Sequence, residues 1–82
     1  MIILGIDPGT ATTGFGVIKI PEDILGREYE YGIELIGYGN IFTDKDKPMP
    51  DRLWKLSREL DDLIKKYQPD QIAVEMLFFG AN

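Results

Sequence analysis

The stretch that most constrains this chain is its beginning, where Ile2-Ile3-Leu4-Gly5-Ile6 is apolar at successive positions and runs straight into Asp7-Pro8-Gly9-Thr10. An apolar run that does not alternate fits a strand covered on both faces, as parallel strands of α/β folds are. Asp7 falls where that strand ends. Pro8 disfavours the helical region for Asp7 by steric clash, and Pro8-Gly9 has the fixed φ and the tolerance of positive φ that the central positions of a type II turn require. The carboxylate is therefore expected to be held in place. Gln71-Ile72-Ala73-Val74-Glu75 repeats the pattern as a second short apolar run closing on an acid.

Between these runs the chain reads as a meander followed by a helix. Gly14-Phe15-Gly16-Val17-Ile18-Lys19-Ile20 is β-prone and able to pair antiparallel with the first strand, its two glycines leaving open space beside Asp7. Pro21 ends it, and Glu22 to Gly32 reads as a long connection or protruding hairpin. Ile33 to Thr43 has the period-2 pattern of a third strand, with Ile33, Leu35 and Ile41 on one side and Ile36, Tyr38 and Phe42 on the other, and with Gly37 and Gly39 marking a bulge. After the charged loop Thr43 to Pro48, Pro50 suits the first helical position, and Leu53, Leu56, Leu60, Leu63, Ile64 and Tyr67 recur along one stripe that should pack on the sheet. Trp54 lies off that stripe, at an edge or an interface, and Gln68-Pro69 stops the helix. A strand, a helix and a strand form a crossover unit, so Gln71 to Glu75 should lie parallel to an earlier strand. Ile2 to Asp7 is the expected neighbour, and that pairing brings both acids to one edge of the sheet.

Composition narrows the chemistry. The chain has 82 residues, 14 acids against 9 bases, a net charge of −5, and neither histidine nor cysteine. Thiolate zinc sites, disulfides, cysteine nucleophiles and histidine acid/base chemistry are excluded, which leaves carboxylates. The apolar start is far shorter than the roughly 18 residues of a membrane span and lacks a basic leader, so no membrane association and a cytoplasmic location are expected. Neighbouring strands lie ~4.8 Å apart, which allows Asp7 and Glu75 to aim into one space where a pair of divalent ions about 3.5–4 Å apart would fit. Oxygen ligands alone select Mg²⁺ or Mn²⁺ over zinc and point to phosphate chemistry. The plainer alternative is that Asp7 caps its turn and Glu75 meets solvent.

Three segments taken together, Gly5-Ile6-Asp7-Pro8-Gly9-Thr10, Thr13-Gly14-Phe15-Gly16-Val17-Ile18 and Gln68-Pro69-Asp70 leading to Ala73-Val74-Glu75 with Phe78-Phe79 and Asn82, resemble the N-terminal half of the RuvC family of bacterial Holliday junction resolvases. The resemblance implies an α/β, RNase H-like mixed sheet: a three-stranded antiparallel meander, a crossover helix and a fourth strand parallel to the first, truncated so that residues 1–82 are the N-terminal portion of one nuclease domain. It further implies a homodimer that nicks four-way DNA junctions symmetrically in recombination and repair, using two Mg²⁺ ions per complete site and working with the RuvA–RuvB branch-migration complex. Asp7 and Glu75 match the family's first two catalytic, metal-binding acids, and two more are expected from a later helix. Phe78 matches an aromatic that stacks on bases at the crossover, and Thr10, Thr13 and Asn82 are further candidate DNA contacts. Gly80-Ala81 stands where the family usually carries Ala-Lys.

Four strands and one helix should leave one sheet face bare, with Leu77, Phe78 and Phe79 uncovered, so the chain alone is expected to associate, and without the later acids and covering helices to be inactive. Two other readings stay open. One is an actin-like ATP-binding phosphotransferase fragment, in which an Asp-x-Gly-Thr turn holds phosphates. The other is a non-catalytic relative that only dimerises or holds DNA.

Overall fold

Pairing of the strands follows the apolar patterns. The computed structural model describes residues 1–9, 11–21 and 32–75, and within them the chain forms β1 (Ile2–Asp7), β2 (Thr12–Lys19), β3 (Glu34–Phe42), α1 (Met49–Tyr67) and β4 (Gln71–Val74). The sheet order is β3-β2-β1-β4, with β1–β2 and β2–β3 antiparallel and β4 parallel to β1. This is the expected meander, crossover helix and returning strand. The expected hairpin at Glu22 to Gly32 falls, apart from Gly32, outside the described residues, as does the apolar segment Leu77 to Phe79.

Residues paired across neighbouring strands share a face. Leu4 stands opposite Val17 and Thr13 opposite Ile41, and all four are buried. α1 lies over this face. The Tyr67 phenol rests against Gly37, where a Cβ would come within 2.7 Å of Tyr67 Cζ, so any side chain there would have to displace the phenol. At the other end of the helix, Lys55 Nζ donates to the Phe42 carbonyl at 2.5 Å and Arg52 Nε to Thr43 Oγ1 at 3.4 Å. Among the described residues no element covers the opposite face, which carries Ile3, Gly5, Asp7, Gly14, Gly16 and Ile18.

Four details differ from the sequence expectation. Of the helical stripe, Leu56, Leu60, Leu63 and Tyr67 are half-buried, whereas Leu53 and Ile64 are exposed and join Trp54 on a second, outward groove. The stripe is narrower because α1 meets the sheet chiefly at β3 rather than across its middle. In β3 the register shifts between Val17 and Ile18, leaving Ile36 without a partner beside Gly37. The expected bulge is thus present, but it turns Leu35 opposite Ile18, so Leu35, 59% exposed, no longer shares a face with Ile41. Helix α1 begins at Met49, which puts Pro50 at its second position, where a missing N–H also costs nothing. Finally, Gly9 is not in the left-handed region; positive φ occurs, among the described residues, at Gly32 and Gln68. Gly9 is needed because a Cβ would strike the carbonyl of Thr12, a close approach of the chain to itself rather than a special φ.

Candidate active site

The parallel pairing of β1 and β4 matches Ile6 with Val74, and the ladder continues one step further, where the Glu75 N–H donates to the Ile6 carbonyl at 3.0 Å. That step puts Glu75 level with Asp7, on the same face and at the same edge. Both side chains are exposed. A hydrogen bond shared with Asp7, reinforced by the negative charge of Asp7 and by a little desolvation, holds the Glu75 carboxyl above its ordinary value. Two carboxylates this close repel each other when both are charged, and a cation between them would remove that repulsion.

The floor of the site is bare backbone. Asp7 pairs with Gly14 and Gly5 with Gly16, so glycine meets glycine beside the acid. A Cβ at Gly14 would lie 3.9 Å from Asp7 Cβ, and one at Gly16 would meet nothing within 4 Å. The open space expected beside Asp7 is therefore present. It forms a shallow cleft of about 700 Å³ whose lining includes Asp7, Glu75, Gly14, Gly16, Tyr38 and Asn40.

Tyr38 and Asn40 were not legible as site residues in the sequence. Gly14 pairs with Asp7 on one side and Asn40 on the other, and Gly16 pairs with Gly5 and Tyr38. The far bank of the cleft is thus two strands from Asp7, roughly 10 Å away, and Tyr38 stands on it 78% exposed. The signal lay in the glycines, but only strand register shows what they line up with.

Of the other candidate residues, Thr13 is 4% exposed and lies on the helix-covered face, opposite Ile41, so the structure does not bring it into the cleft. Its neighbour Gly14 takes the place facing Asp7. Thr10, Phe78 and Asn82 lie outside the described residues. Among the described residues no group of three or more acids gathers at one point, so Asp7 and Glu75 stand as a pair.

A mixed sheet of this order, with acids at the ends of its adjacent parallel strands, defines an RNase H-like fold. The family described as Crossover junction endodeoxyribonuclease RuvC matches residues 3–82, and the chain belongs to that family. The RuvC protein of Desulforamulus reducens is 51% identical over 82 residues, covering all of this chain and 45% of the relative. That of Syntrophomonas wolfei is 45% identical, again over the whole chain and 43% of the relative. The chain therefore spans a little under half the length of these curated relatives. Among solved structures, Thermus thermophilus RuvC in complex with a Holliday junction substrate superposes with a TM-score of 0.79 at 23% identity, over all of this chain and 48% of that one. The Aquifex aeolicus PPX-GPPA enzyme shares the fold more distantly, with a TM-score of 0.60 at 14% identity over 90% of this chain and 25% of that one. Among the described residues no helix is long and apolar enough to cross a membrane.

Proposed function

We propose that this chain forms the N-terminal part of a divalent-metal-dependent endonuclease that resolves four-way DNA junctions by paired nicks, with Asp7 and Glu75 supplying two of its metal-binding acids. The observation that carries the reading is their meeting at one sheet edge above a glycine floor. Hard oxygen donors in a chain without histidine or cysteine suit Mg²⁺ or Mn²⁺. Such ions, when bound, activate a water and neutralise charge developing on the phosphate. The chain's own part is to fix the two acids on rigid strands and to keep side chains out of the path of a phosphodiester backbone, which the glycines do.

Membership of the RuvC family supports the substrate class and, by extension, a homodimer working with branch-migration partners. Phe78, three residues beyond Glu75 in sequence, belongs in this reading as a base-stacking platform, worth about 1–3 kcal/mol per base, with Thr10 and Asn82 as further DNA contacts. Buried Thr13 has no such part in the reading. A soluble, cytoplasmic protein fits a DNA substrate of this kind.

The test is a synthetic four-way junction incubated with the full-length protein. Symmetric nicks in Mg²⁺ that vanish in EDTA are expected, and the 82-residue chain alone should not nick. Cleavage persisting in EDTA, or ATP turnover in place of cleavage, would contradict the reading.

A further inference from the structure

The Gln68-Pro69-Asp70 corner has no part in the chemistry above, yet it meets β1 at the end opposite the acids. Asp70 Oδ2 accepts the N–H of Ile2 at 2.7 Å, and the N–H of Asp70 donates to the carbonyl of Ile2 at 2.8 Å. One residue thus satisfies both backbone groups of Ile2. At the other end of the same strand edge, the Ile6 carbonyl takes the N–H of Glu75. β4 is held between these two grips.

Among the described residues little else specifies where β4 sits. It is four residues long and pairs, among the described residues, with β1 alone. Its apolar side chains, Ile72 and Val74, are 47% and 58% exposed, so burial distinguishes one register from another only weakly. A slip of one residue would turn Glu75 to the helix side of the sheet, and a slip of two would carry it ~6.6 Å along Asp7's strand on the same side. Either slip would break both bonds of Asp70. The corner itself is stiff: Gln68 closes the helix in the left-handed region, with its N–H on the Ile64 carbonyl at 2.8 Å, and Pro69 fixes its own φ. Asp70 therefore reaches Ile2 from a fixed point.

We infer that Asp70 is a positioning residue for the Asp7–Glu75 pair: by binding both backbone groups of Ile2 it sets the β4 register that carries Glu75 to the side of Asp7. The consequence for metal binding rests on the proposed metal site, whereas the positioning itself does not. A carboxylate acceptor suits the task because a charge-assisted N–H bond is shorter and stronger than a neutral one.

The experiment compares Asp70→Ala and Asp70→Asn with wild type in the full-length protein, well below their melting temperatures. Amide hydrogen exchange reads the register and calorimetric titration with Mn²⁺ reads the site. In Asp70→Ala the Glu75 amide should exchange at least ~10-fold faster while core amides such as that of Val17 keep their protection. Mn²⁺ should bind about 10–100-fold more weakly, the range expected when a group supporting a ligand is lost. Asp70→Asn retains a side-chain carbonyl that can accept from Ile2 and should recover most of both effects. Unchanged exchange at Glu75 in Asp70→Ala would overturn the inference, as would an Asn variant no better than the Ala variant. Asp7→Asn, run alongside, separates the two ideas: if it bound Mn²⁺ as wild type does, the metal site would fall, and the exchange data would still judge Asp70.

Discussion

Gly14 faces Asp7 across the β1–β2 pair, and a Cβ at Gly14 would sit 3.9 Å from that of Asp7 and 3.6 Å from Asn40 Oδ1. Both are ordinary contact distances, so the sheet has room for a small side chain that the cleft does not. Gly14→Val should therefore fold, with a melting temperature near that of wild type. Its branches would fill the space beside Asp7, and displacing a bound phosphodiester by about 1 Å is enough to cost ~100-fold in rate. Melting curves and junction cleavage by the full-length variant check both halves.

Glu75 links the site to stability. The hydrogen bond that the protonated Glu75 carboxyl donates to Asp7, and then the charge of Asp7, raise the Glu75 carboxyl above 4.5, so the folded chain holds that proton more tightly than the unfolded one does. The contribution to stability is fully present below pH 4.5 and is lost as pH rises through the raised value. In EDTA, Glu75→Gln should melt at the same temperature as wild type in acid and at a higher one at neutral pH. Saturating Mg²⁺ should reverse the neutral-pH order, because only wild type gains the ion.

The glycines of the two faces should behave differently. Gly37→Ala would drive a Cβ into the Tyr67 ring, an overpacking expected to cost about 1–3 kcal/mol. Gly16→Ala meets nothing and relieves glycine's backbone entropy, so it should be neutral or stabilising by about 0.5–1 kcal/mol. Urea denaturation of both variants makes the comparison.

Gln68 holds φ 47° and ψ 58°, a conformation that costs a residue with a side chain roughly 1–2 kcal/mol and glycine far less. After glycine's greater entropy loss, Gln68→Gly should stabilise by about 0.5–1 kcal/mol. A lower melting temperature would mean that the Gln68 side chain makes a contact worth more than the strain.

Much of this was legible because it depends on local pattern. The unbroken apolar runs of Ile2–Ile6 and Ile72–Val74 pointed to two strands, and the intervening helix required them to run parallel, which brought Asp7 and Glu75 together; the cover expected on both faces is not found among the described residues, where one face of β1 is open and all of β4 is exposed. What the sequence concealed depends on register. Asn40 joins the site only because Gly14 pairs with it and with Asp7 at once, and Leu35 changes face only because Ile36 is squeezed out of the ladder. Periodicity alone placed Leu53 and Ile64 on the buried stripe, yet a helix that leans on β3 buries a narrower arc. The grip of Asp70 on Ile2 spans 68 positions of sequence and has no local signature.

The proposed role of Asp7 and Glu75 as two acids of a metal site for phosphodiester cleavage is tested most directly by single-turnover cleavage of a four-way junction by full-length Asp7→Asn and Glu75→Gln in Mg²⁺, with junction binding measured in parallel in Ca²⁺. Each variant should bind the junction within a few-fold of wild type and cleave it at least ~1,000-fold more slowly, a loss of about 4 kcal/mol of transition-state stabilisation. Near wild-type cleavage by either variant would contradict that role.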